Sequence, residues 1–180
     1  EFKDKPYLRQ PIGEKWEEYT WGKVGDMARR LASGLKSLNL REGAHIGIYS
    51  KNCREWIISD LAIVMAGYIS VPFFPSLNGK ELSYIMDYGD VDALFIGKIE
   101  TWDDIKNDLP SEMPIIRFPK YEGCSNVTKG HEWHEFINSH EPIENPNKPK
   151  LSDLWTIIFT SGTTGTVSYT HLRAHETVKN

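Results

Sequence analysis

Cysteine is scarce in this chain: Cys53 and Cys124 are the only two in 180 residues. Two thiols cannot form the disulfide framework of a small secreted scaffold, and a reducing compartment is expected. No apolar run reaches the ~20 residues that a helix needs to cross a bilayer. An excess of charge of one sign is also missing. The 21 Lys and Arg stand against 25 Asp and Glu, a net charge of -4, which argues against a general nucleic-acid binder. Glu1 to Lys5 are charged and lack the apolar core of a signal peptide. There is no initiator Met, so the chain is expected to be already cut at its amino terminus. What remains is ordinary for a soluble protein: 39% hydrophobic and 26% charged residues, in a chain long enough for one domain with a real core.

The pattern along the chain alternates strands and helices. Phe2 to Tyr19, with Pro6 and Pro11, reads as an irregular lead-in. Thr20 then looks like the N-cap of a helix whose apolar face is Val24, Ala28, Leu31, Leu35 and Leu38, with Asn39 and Gly43 as the stop. Ile46 to Tyr49 reads as a short buried strand. Asn52 is expected to cap a second helix running through Trp56, Leu61 and Val64 to Gly67. Ile69 to Phe74 is a second strand. Asn78-Gly79 opens a third helix with Leu82, Ile85 and Met86 inward. Ala93 to Ile96 and Ile115-Ile116 are further strands, separated by a short helix capped by Thr101 with Asp103 and Asp104 at its positive end. Tyr121 to Gly130 is expected to be a loop, and Glu141 to Lys150, with three prolines, a spacer. This rhythm predicts an α/β fold: a doubly wound, mostly parallel sheet with helices on both faces.

Chemistry concentrates in one stretch, Leu154 to Gly165. Ile157, Ile158 and Phe159 read as a buried strand, which ends abruptly in Thr160-Ser161-Gly162-Thr163-Thr164-Gly165. Glycines leave no Cβ between backbone and ligand, the hydroxyls donate, and successive N–H groups can form an anion nest. The pattern therefore points to a polyphosphate cradle; a solvated turn is the plain alternative. It matches neither the Walker pattern, since no Gly-Lys-Ser/Thr follows, nor the dinucleotide Gly-x-Gly-x-x-Gly. His131, His134 and His140, with Cys124 nearby, suit no common zinc spacing and read as solvated surface histidines, so no metal site is assigned. Asp153 reads as a turn residue before the strand. Glu17-Glu18 and Asp103-Asp104 read as exposed charges and not as acid/base pairs.

Phe159-Thr160-Ser161-Gly162-Thr163-Thr164-Gly165 resembles the phosphate-binding loop of the adenylate-forming (AMP-binding) superfamily, which includes acyl-CoA synthetases, luciferases and peptide-synthetase adenylation domains. Trp56 to Gly67 is similar to a helix of acyl-CoA synthetases. Val71-Pro72-Phe73-Phe74-Pro75-Ser76-Leu77 resembles the strand and turn that follow it, particularly in long-chain enzymes. The resemblance covers Thr20 to Gly165. It implies the incomplete N-terminal part of the adenylate-forming fold, with Thr160, Ser161, Gly162, Thr163, Thr164, Gly165 and Thr166 gripping ATP phosphates. For the intact parent it implies ATP, Mg2+ and CoA as cofactors. The parent would be a ligase that activates a fatty acid as its acyl-adenylate and passes the acyl group to CoA. Its partner is then a small carboxylic acid and not a nucleic acid. The implied location is cytoplasmic, with room for peripheral membrane contact.

After Gly165 the chain departs from the family. Val167 and Ser168 stand where the family has Pro and Lys, so the cation on the phosphates is missing. Val167 to Thr177 resembles the in-frame translation of a sequencing-library adapter. Residues 1–166 are accordingly expected to be a partial AMP-binding domain and 167–180 a non-native tail. The family's adenine pocket, ribose-binding Asp, magnesium-binding Glu and catalytic Lys all lie beyond this loop and have no counterpart here. The chain alone is expected to be inactive and poorly soluble. A peptide-synthetase adenylation domain is the second enzyme reading. A non-catalytic truncated module that binds a nucleotide or acyl group is the reading from another class.

Overall fold

The computed structural model describes residues 2–161 and 167–173. The chain opens with a hairpin in the stretch expected to be irregular: β1 (Pro6–Ile12) pairs antiparallel with β2 (Lys15–Thr20). Pro6 and Pro11 did not break it because this is a separate two-stranded sheet, where each proline sits near a strand end and no neighbour on the far side needs its N–H. Gly13 turns the chain at φ 58°.

Helix α1 (Trp21–Ser37) starts as its sequence predicts, with the Thr20 hydroxyl accepting from the Lys23 N–H. Its buried face is Val24, Ala28, Leu31, Ala32 and Leu35. There follow β3 (His45–Ser50), α2 (Arg54–Met65), β4 (Ile69–Phe73), α3 (Gly79–Tyr88), β5 (Val91–Gly97), α4 (Trp102–Ile105) and β6 (Ile115–Arg117). Asn78 caps α3 in a reciprocal box with Glu81.

Two capping expectations fail. The N-cap of α2 is Cys53 and not Asn52, and the free Arg54 N–H is met from another element, by Gln10 Oε1 of β1 at 3.3 Å. Thr101 precedes α4, but with φ -108° and ψ 20° its hydroxyl makes no capping bond. Beyond the loop, β7 (His131–Glu132) and α5 (Trp133–Asn138) form where no element was expected. At six residues α5 is too short to display a helical period.

β8 (Leu154–Ser161) and β9 (Val167–Arg173) complete a seven-stranded sheet in the order β7-β6-β5-β3-β4-β8-β9. Each neighbouring pair is parallel except β8 with β9. Alternation along the strands builds two cores. Ile46, Ile48, Phe95 and Ile116 pack with Leu31 and Leu35 of α1, Ile58 and Ile63 of α2, and Trp133 of α5. Tyr49, Leu94, Ile96 and Ile115 pack on the other face with Leu82 and Met86 of α3, Trp102 of α4, and Ile157 and Phe159 of β8. The expected doubly wound, mostly parallel sheet with helices on both faces is what forms. Gly47 lies where β3 is tightest: a Cβ there would sit 2.8 Å from both Leu94 Cδ1 and Phe73 Cε2.

Candidate functional site

In an open parallel sheet, ligand sites gather at the carboxyl ends of the strands, where the direction of winding reverses. β3 is the reversal point here, with β4 on one side and β5 on the other. β8 delivers the predicted phosphate stretch to the same edge. It runs parallel to β4, and its carboxyl end is Thr160-Ser161. β9 returns from Val167 with Ser161 opposite Val167 and Thr160 opposite Ser168, so the two strands bracket the loop. Gly162, Thr163, Thr164, Gly165 and Thr166 lie outside the described residues. Of the predicted site, the structure therefore places the backbone of Thr160 and Ser161 alone.

The strand that carries them is firmly seated. Ile157 and Phe159 are buried, and Phe159 lies parallel to Phe73 with ring centroids 6.4 Å apart. Tyr88 meets Phe159 edge-on at 6.1 Å. Gly89 passes so close that a Cβ would be 3.0 Å from Phe159 Cζ. At the start of β8, Trp155 Nε1 donates to Asp60 Oδ2 of α2 at 3.3 Å, and Thr156 Oγ1 donates to the Ser70 carbonyl of β4 at 2.9 Å. Burial raises the Asp60 pKa, opposed by the Ser70 and Trp155 contacts. Asp153 is the turn residue expected: its Oδ2 accepts from the Lys150 N–H at 2.8 Å.

A second group of side chains lies at the same edge and was missed by sequence reasoning. Arg54, at the first position of α2, donates through Nε to Glu55 Oε1 at 2.9 Å and through Nη1 to Glu17 Oε2 at 2.5 Å. Glu55 is 1% exposed and also accepts from the Tyr121 hydroxyl. Burial works against the Arg54 charge, but the two carboxylates outweigh it and the pKa moves up. Burial, then the bond to Glu55, raises Tyr121. Burial and Glu55 push the Cys53 thiol up to about 11, so it is no nucleophile at neutral pH. An acidic residue within an apolar helix was the one available sequence signal, but the groups that complete the cluster come from elsewhere: Tyr121, from the loop after β6, on Glu55, and Glu17 of β2 on Arg54. A cavity of about 460 Å3 opens beside this cluster, lined by Gln10, Gly13, Arg54, Lys98, Lys120 and Tyr121. A larger cavity, of about 950 Å3, lies near Arg41, Val91 and Asp92 at the amino ends of the strands, away from the loop.

The other candidate groups stay apart. Glu18 pairs with Arg9 at 2.6 Å and Asp103 with Lys106 at 2.6 Å, both as surface pairs. His131 and His134 are exposed, as expected. His140 is a correction: it is half-buried, with Nδ1 donating to the Phe136 carbonyl at 2.7 Å and the ring packed on Phe136. The α5 helix draws it in by bringing Phe136 beneath it. Among the described residues, no three His, Cys, Asp or Glu side chains gather to hold a metal ion, and no helix is long and apolar enough to cross a membrane.

A mostly parallel, doubly wound sheet whose β8 leads into a hydroxyl- and glycine-rich sequence defines the class of the protein as α/β. The profile of the family described as AMP-binding enzyme matches residues 1–177, and the chain belongs to that family. It is 32% identical to the Arabidopsis thaliana protein "Long chain acyl-CoA synthetase 6, peroxisomal" over 184 aligned positions, covering 92% of this chain and 26% of the relative. The chain thus spans about a quarter of the length of that relative. Its fold is similar to a Brucella canis acyl-CoA synthetase (TM-score 0.78, 16% identity, 94% of this chain and 31% of the other). It is similar also to an anthranilate CoA ligase in complex with anthranoyl-AMP (TM-score 0.76, 20% identity, 94% and 32%).

Proposed function

We propose that this chain is the phosphate-loop-bearing part of an ATP-dependent ligase that joins a fatty acid to CoA through an acyl-adenylate. The observation that carries the proposal is the placement of Thr160-Ser161 at the carboxyl end of β8, followed in sequence by Gly162 to Thr166, in a member of the AMP-binding family. Relatives such as the Arabidopsis thaliana protein are long-chain acyl-CoA synthetases by name, which favours a fatty acid over other carboxylates. In this reading the carboxylate attacks the α-phosphorus of ATP, and pyrophosphate leaves. The CoA thiol then attacks the acyl carbon, and AMP leaves. Residues Thr160 to Thr166 hold the departing phosphates through N–H and hydroxyl donors. Mg2+ would neutralise those phosphates, through ligands supplied by other parts of the ligase.

The chain by itself is proposed to be inactive. It holds a phosphate cradle without the groups that place a carboxylate against the α-phosphate, and positioning and electrostatic stabilisation are most of this chemistry. Residues 1–166 are the proposed native domain and 167–180 a non-native tail, because Val167 and Ser168 stand where the resemblance has Pro and Lys, although the family match itself runs to residue 177. Sequencing the native locus across the Gly165 codon tests this: Pro-Lys-Gly and a long open frame are expected, and a native Val167 to Asn180 followed by a stop would overturn it. Two free thiols fit the proposed cytoplasmic location.

The activity test is ATP–pyrophosphate exchange by the complete ligase with a fatty acid. Gly162→Val and Gly165→Val each place a side chain against the phosphates, and exchange should fall by at least about tenfold while the fold persists. Unchanged exchange in both variants would overturn the loop assignment.

A further inference from the structure

The cavity of about 460 Å3 beside Arg54 has walls from four places in the chain. Gln10 and Gly13 come from β1 and the turn after it, Arg54 from the first position of α2, Lys98 from the end of β5, and Lys120 and Tyr121 from the loop after β6. The polar groups in this wall are mostly donors. Gln10 is 8% exposed; its Oε1 accepts from the Arg54 N–H at 3.3 Å, and its Nε2 donates to the Pro11 carbonyl at 3.3 Å. That leaves one N–H of its amide over. The Arg54 side chain is 11% exposed. Its Nε and Nη1 hold Glu55 and Glu17, and among the described residues its Nη2 has no partner. Lys98 Nζ donates to the Asn52 carbonyl at 2.7 Å and lies over the Tyr121 ring, which leaves two of its three N–H bonds over. Lys120 is exposed and has no hydrogen bond or ion pair among the described residues. Glu17 and Glu55 are not part of the wall; among the described residues the one carboxylate that lines it is Glu122.

We propose that this cavity binds the phosphate group of a small phosphorylated molecule, with Arg54 Nη2, Gln10 Nε2, Lys98 and Lys120 as its donors. A wall with unspent cationic donors and few acceptors suits an oxyanion. Four donor side chains from three sides exceed what the two oxygens of a carboxylate can take, whereas a phosphate group presents three terminal oxygens. The cavity is larger than a phosphate and leaves room for the organic part of the ligand. Gln10 and Arg54 are both held by bonds to other elements, so two of the four donors are fixed before a ligand arrives. The site is separate from the phosphate loop proposed after β8. In the sheet, β3 and β4 stand between β5 and β8, a span of about 14 Å at strand spacing. The assignment therefore does not depend on that of the loop.

The test titrates inorganic phosphate against the complete ligase and follows binding by phosphorus NMR line width, in the wild type and in a background carrying Gly162→Val and Gly165→Val. Lys120→Glu should weaken binding by about tenfold or more in both backgrounds, while the two glycine changes alone leave this affinity within about twofold. Lys120 is exposed, so its replacement leaves the fold intact. Glu122→Gln removes the lining carboxylate and should tighten binding about threefold, a gain that structural damage does not produce. Acetate, added as a competitor, should bind at least about tenfold more weakly than phosphate. Unchanged affinity in Lys120→Glu, no gain in Glu122→Gln, or acetate binding as tightly as phosphate would overturn the proposal. Binding that disappears with the glycine changes alone would also overturn it, because the phosphate would then belong to the loop after β8.

Discussion

The centre of the sheet and its β8 margin are held together by different means. At the centre, β3 is laddered on both sides and covered on both faces, with Ile46, Ile48 and Phe95 in one core and Tyr49, Leu94 and Ile96 in the other. Backbone pairing and burial there reinforce each other, so a local fault should be felt globally. At β8 the parallel pairing to β4 is one registered pair and the antiparallel pairing to β9 is seven, and three side-chain attachments join it to the helix and strand on its inner side: Trp155 to Asp60, Thr156 to Ser70, and Phe159 on Phe73. Side-chain bonds of this kind contribute about 1 kcal/mol each. They can be altered one at a time without dismantling the domain.

The sharpest test of this contrast is Phe95→Ala. The side chain is fully buried and touches both Phe118 and Trp133 as a ring neighbour. Its loss should cost roughly 3–5 kcal/mol in urea unfolding and lower the protection of amides throughout the sheet. Gly47→Val comes next, because the new side chain meets Leu94 and Phe73 at 2.8 Å; about 1–3 kcal/mol of overpacking is expected. At the margin, Thr156→Val keeps the shape and removes the bond to Ser70. It should cost about 1 kcal/mol and speed hydrogen exchange chiefly in β8. If Thr156→Val destabilised the whole sheet as much as Phe95→Ala, the two regions would not differ as described.

The smallest expected effect depends on pH. Burial raises the Asp60 pKa in the folded state, so the native chain binds this proton more tightly than the unfolded one. The group therefore adds most to stability below its unfolded pKa of about 3.9, and that contribution is lost as pH rises through the folded value. Asp60→Asn removes this dependence. Apart from a constant offset, its stability relative to wild type should climb with pH across the acidic range, as read by denaturant midpoints. A difference that stayed flat or fell with pH would mean that the carboxylate is not disfavoured by its surroundings.

Much of the centre was legible from sequence. The α1 face from Val24 to Leu35 shows an unbroken helical period, Asn78-Gly79 announces α3, and runs such as Ala93 to Ile96 have few alternatives to a covered strand. The hairpin was not, because Pro6 and Pro11 signal a break wherever a strand needs both its edges. Nor was α5, which at six residues makes fewer than two turns and so cannot repeat the period that would reveal it. In the site, the hydroxyl and glycine pattern from Thr160 to Thr166 was legible as local chemistry, and its strand ends where that pattern begins. Asp60 and Glu55 were not legible as anything but acidic residues of a helix.

The sequence by itself determined the class of fold and the family to which the chain belongs, and it marked the end of β8 as the stretch proposed for anionic chemistry. These follow from local rules: side-chain period, caps, and what glycine and hydroxyls permit. Only the tertiary structure decided that Gln10 serves the start of α2, that Glu55 joins Arg54 to Tyr121, and that Asp60 reaches Trp155. Asp60 and Trp155 are 95 residues apart in the chain. Such a pair has no local signature, because the contact exists only once a helix and two strands have been stacked in order, and it is the stacking that sets which carboxylate meets which donor.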